Sequence, residues 1–168
     1  MKIFGKSVSE YVDFEKEFLI LVLVVGLVRL GLSLAGAPDS AVKFASMTAL
    51  MLLGLIYYSV RVYTSGFGSY RQLLPVLAFP VILMNLIIIA GIVIAIETGK
   101  DNIFTAPEFS PGRFSGQQVS GRTWGHAAGH VVGMVWISLL LWGIGSLIML
   151  VTKKATGGQQ PKPGTAGA

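Results

Sequence analysis

The sequence predicts an all-α, polytopic integral membrane protein with four transmembrane helices and an N-terminal interfacial helix, and three observations carry that prediction. Of its 168 residues, 53% are apolar and only 12% are charged, against about 25% charged in soluble domains. The charges leave long runs empty, the pattern expected where hydrocarbon rather than water is the solvent. Four such runs occur, each near the roughly 20 residues that cross a bilayer core, and together they fill a chain of this length. No separate soluble catalytic domain fits beside them.

The first segment, residues 1–13, mixes charges with apolar residues at Phe4, Val8, Tyr11 and Val12, and its spacings of three and four fit a short amphipathic helix on the membrane surface. Ser7 and Glu10 have the spacing of a capping box. The transmembrane domain follows over 14–152, with spans at about 14–36, 41–63, 73–96 and 124–151. The first span could be mistaken for a secretory signal, because Ala35-Gly36-Ala37 has the form of a cleavage site. Against cleavage stand four acidic residues in the leader, Arg29 inside the apolar run, and Pro38 just after the cut. Retention as a span is the preferred reading.

Pro38-Asp39-Ser40 makes a tight turn that can cap the second helix, so the first two spans are expected to be antiparallel neighbours. Tyr57, Tyr58, Arg61 and Tyr63 gather at the far end of the second span as an interfacial belt. Ser69 and Gln72 offer a second capping box, and Pro80 inside the third span predicts a kink. Residues 97–123 form a Gly-, Ser- and Pro-rich outer loop in which Phe104, Phe109 and Phe114 recur every five positions. That spacing suits neither helix nor strand, and predicts irregular structure lying on the membrane surface. After the fourth span, residues 153–168 read as a disordered tail.

Orientation comes from counting bases. Lys2, Lys6, Lys16, Arg61, Arg71, Lys153, Lys154 and Lys162 share one side, and Lys43, Lys100, Arg113 and Arg122 the other. The bias of eight to four predicts cytoplasmic termini in a bacterial-type plasma membrane, with the long loop outside. The same placement explains the net charge of +5 by anionic lipid rather than nucleic acid, since no basic stretch interleaved with aromatics exists. With no cysteine, disulfides, thiolate metal sites, iron–sulfur clusters and thiol nucleophiles are all excluded.

This topology sends Arg29, Glu97, His126 and His130 toward the outer face. An arginine within a span is costly and either snorkels, pairs with Glu97, or serves gating or proton handling. His126 and His130 stand one turn apart on one helix face, a spacing that can hold a metal, with Met134 and Ser138 continuing the stripe; imidazole with thioether would suit copper. Two ligands do not complete a site, and the same histidines also suit a wet surface or helix contacts. Two histidines one turn apart cannot bind opposite faces of one haem iron. Asn85, the one amide at mid-depth, must find a hydrogen-bond partner. Gly125, Gly129 and Gly133 form a GxxxGxxxG ridge that lets another backbone approach closely, either within the chain or across a seam to another subunit.

No Walker loop, HExxH, GxSxG or paired carboxylates appear, so an enzyme has no positive support, and the motifs leave the cofactor unknown. The leading expectation is a non-catalytic subunit or scaffold of a membrane complex, associating through glycine-mediated helix packing, as a homo-oligomer or with partner membrane subunits. The alternatives are a small oligomeric transporter or channel and a metal-binding or redox membrane protein using His126 and His130.

Overall fold

The computed structural model describes residues 2–44, 46–106 and 120–158. It is mostly helical, with four helices long and apolar enough to cross a membrane. A two-stranded hairpin, β1 (Lys2–Ile3) and β2 (Lys6–Ser7), opens the chain and is followed by α1 (Val8–Leu34), the short α2 (Asp39–Phe44), α3 (Met47–Thr64), α4 (Tyr70–Thr98) and α5 (Trp124–Ala155). Residues 159–168, most of the expected tail, and Phe109 and Phe114 of the loop lie outside the described residues.

The N-terminal interfacial helix is replaced by that hairpin. Phe4 and Gly5 both take positive φ, 48° and 90°, which makes the tight two-residue turn that joins strands of right-handed twist. Lys2 then pairs with Ser7 and Ile3 with Lys6, and the Tyr11 hydroxyl donates to Ile3 O at 2.9 Å. The Ser7–Glu10 capping box does form: Glu10 N donates to Ser7 Oγ at 3.2 Å, and Ser7 N donates to Glu10 Oε2 at 2.7 Å. It caps the first long helix itself, which begins at Val8 instead of following a separate one. The second box caps α4, with Ser69 N donating to Gln72 Oε1 at 2.8 Å. α4 runs as helix through Pro75 and Pro80. The helix whose dihedrals break is α1, at Glu15, with φ −120° and ψ 16°.

The chain forms two compact units. The first comprises Met1–Leu19, Thr48–Val81 and Val135–Ala168. Its core is aromatic: Phe14 stacks on Phe67 at 3.8 Å between centroids, and Tyr11 and Tyr58 meet the pair edge-on. Helices approach closely where glycine leaves room. A Cβ on Gly54 would strike the Phe18 ring, and one on Gly145 would stand 2.7 Å from Ser59 Oγ and 2.9 Å from Leu77 Cδ1. Trp142 Nε1 donates to Tyr70 O at 2.7 Å and ties α5 to the start of α4.

The second unit comprises Ile20–Met47 and Ile82–Met134. Gly26 and Gly91 serve it in the same way, giving room to Ile87 and to Phe104 respectively. The chain beyond α4 also enters this unit. Asn102, Ile103, Phe104, Thr105 and Ala106 are all buried, so this part of the loop is a plug and does not lie on a surface. The burial is possible because the plug satisfies its own polar groups. Asn102 Nδ2 donates to Gly91 O at 2.7 Å, Asn102 Oδ1 accepts from Phe104 N at 3.0 Å, and Ile103 N donates to Ser33 Oγ at 2.8 Å.

Candidate functional site

Of the polar residues that the sequence singles out within the second unit, Asn85, His126 and His130 come together at the first turns of α5. Thr123 caps this helix, its Oγ1 accepting from His126 N at 3.1 Å, which satisfies one of the free N–H groups of the first turn. The buried His126 ring turns back over the cap, and its Nδ1 donates to Gly121 O at 2.9 Å. Gly121 is needed for this approach, since a Cβ there would stand 2.6 Å from His126 Nδ1 and 3.1 Å from the Thr105 Cα. Gly121 N in turn donates to Thr105 O at 2.8 Å. One imidazole thereby locks the entry to α5 against the buried plug.

One turn further on, His130 is half-buried and its Nδ1 lies 2.8 Å from Asn85 Oδ1. With the amide oxygen as acceptor, Nδ1 carries the hydrogen. Asn85, only 1% exposed on α4, meets the requirement that an amide within an apolar helix be hydrogen-bonded. The two imidazole rings lie 5.0 Å apart between centroids, tilted by 45°. In each ring Nδ1 is engaged by an oxygen acceptor. Among the described residues, no group of three or more His, Cys, Asp or Glu assembles around a potential metal.

Arg29 and Glu97 part company. Arg29 is buried with its guanidinium carbon 5.8 Å from the Phe104 ring centre, whereas Glu97 is exposed near the end of α4, and no ion pair joins the two among the described residues. The charge network nearby belongs to the plug: Asp101 Oδ1 accepts from Thr105 Oγ1 at 3.0 Å and Ser120 Oγ at 2.5 Å, with Arg122 Nε at 3.4 Å. Arg122 also donates through Nη1 to Gly99 O.

The glycine ridge divides by face. Gly125 and Gly129 are exposed. A Cβ on Gly129 would meet nothing within 4 Å, and one on Gly125 only Thr123 Oγ1 at 4.0 Å. Gly133 is half-buried, because each four-residue step advances about 40° around a helix of 3.6 residues per turn.

Glu15 is the residue that the sequence reading passed over. It is 0% exposed, lies at the break in α1, and neither carboxyl oxygen has a hydrogen-bond partner among the described residues. Tyr11, Glu15, Val22, Gly26, Arg29 and Leu30 are the buried positions of α1, and counting back from Arg29 at helical spacing would have placed Glu15 on that stripe. Nearby, the Arg61 guanidinium stands over Phe14, Tyr57 and Tyr58 at 4.8–5.9 Å from their ring centres. No family model, curated protein or solved structure matches the chain.

Proposed function

We propose that the chain is a non-catalytic, multi-pass membrane protein, a subunit or scaffold that joins a neighbouring transmembrane helix through the Gly125–Gly129 face of α5. The reading places its four apolar helices across a bacterial-type plasma membrane with both termini cytoplasmic, following the excess of basic residues on that side. One observation carries it: Gly125 and Gly129 are exposed, and among the described residues no other helix stands within 4 Å of a Cβ built on either. Glycine within an apolar helix costs stability, and small residues repay that cost where they let two backbones meet in lipid. The close approaches inside this chain use other glycines, Gly26, Gly54, Gly91 and Gly145. Val132 and Trp136 are exposed on the next turns, at 59% and 69%, and supply knobs beside the flat glycine surface.

The test uses the full chain in mild detergent. Gly129→Leu builds onto a position where a Cβ meets nothing within 4 Å, and is expected to abolish self-association or co-purification of a partner subunit. Unchanged oligomeric state and unchanged partners would refute the reading.

A further inference from the structure

We propose that His126 and His130 bind one divalent transition-metal ion through their two Nε2 atoms, copper(II) most tightly, with Asn85 and the Gly121 carbonyl as the groups that orient the ligands. A carbonyl oxygen only accepts, so the 2.9 Å contact from Gly121 O fixes the hydrogen of His126 on Nδ1, and Asn85 Oδ1 at 2.8 Å does the same for His130. Neutral imidazole has one N–H and one lone pair, and both lone pairs are thereby assigned to Nε2. Metal-binding histidines carry this signature, donating the other ring N–H to a carbonyl or carboxylate that holds the ring in place.

The spacing of the rings supplies the second observation. With metal–nitrogen bonds of about 2.0–2.1 Å, a ring centre stands about 3.2 Å from the ion. Two rings on one ion then have centres about 4.5 Å apart at a right angle and about 5.2 Å apart at the tetrahedral angle. The observed separation is 5.0 Å, within that interval. Neither Nε2 is among the buried side-chain atoms that lack a hydrogen-bond partner. Imidazole suits copper, zinc and nickel, and the order of affinities for nitrogen sites places copper(II) first. With no third protein ligand of the His, Cys, Asp or Glu type among the described residues, water or an external ligand fills the remaining positions.

A purely structural role for the histidines needs only their Nδ1 bonds and predicts no metal affinity. The untagged full chain, stripped with chelator in detergent, is titrated with copper(II) alone and followed by electron paramagnetic resonance. One copper per chain with nitrogen splitting is expected, lost in His126→Ala and in His130→Ala. Asn85→Leu leaves both Nε2 atoms in place but removes the acceptor that orients His130, and should weaken copper binding about 10–100-fold. Asn85→Asp, which keeps an acceptor and tests the same position without a gap in the polar contact, should retain it. Failure of the native chain to bind copper, or binding that survives both alanine substitutions, overturns the site. Equal affinity in Asn85→Leu overturns the orienting role.

Discussion

Asn85 and His130 are 45 residues apart and meet at 2.8 Å, and that pairing shows what is visible at the scale of single residues. The spacing of His126 and His130 was legible in the sequence because helical periodicity alone puts i and i+4 on one face. Their partners were not, because a hydrogen bond between two helices depends on their rotation and register. The same holds for Arg29, read as a candidate partner of Glu97 and found beneath Phe104, a residue whose placement depends on the plug folding inward. Glu15 makes the opposite point: its position on the buried stripe of α1 was present in the spacing, but a cluster of leader charges concealed it. A buried polar group without a partner costs about 1–3 kcal/mol. Glu15→Leu is therefore expected to raise the thermal midpoint of the purified chain in detergent, and a lowered midpoint would show that the carboxyl has a stabilising partner in the isolated protein.

At the scale of elements, the two capping boxes were readable because their chemistry is local, closing over three residues. The hairpin was not. Phe4 in a positive-φ conformation is uncommon for a bulky residue, and apolar spacing over so short a segment fits a helix as readily as a strand. The burial of the segment after α4 is hidden for a related reason: its composition signals irregular backbone, but only the bonds of Asn102 to Gly91 O and of Ile103 N to Ser33 Oγ show that irregular backbone can be buried. Glycines separate into two classes that sequence cannot distinguish. Gly145→Leu should reduce the yield of folded protein sharply and lower its thermal midpoint, because the new side chain collides with Ser59 and Leu77. Gly129→Leu should leave the midpoint within a few degrees of the native value. Equal losses in the two variants would contradict the assignment of their faces.

For the whole molecule, the measurable consequence is orientation. The chain has no cysteine, so single cysteines report their side of the membrane against a silent background. Gly157→Cys, beyond the end of α5, is expected to resist an impermeant maleimide in intact cells, and Lys100→Cys, beyond the end of α4, to react with it. The reverse pattern would invert the proposed topology, and reaction of both would remove a span.

The sequence alone determined four long apolar helices, since the period of a helix, the thickness of a bilayer and the cost of charge in hydrocarbon act residue by residue along the chain. Tertiary structure decided which glycines pack inside the chain and which remain open, which amide meets which imidazole, and where the segment after α4 goes. Those outcomes depend on rotations and registers between helices, and a change of about 100° per residue moves a side chain from a buried contact to an exposed face.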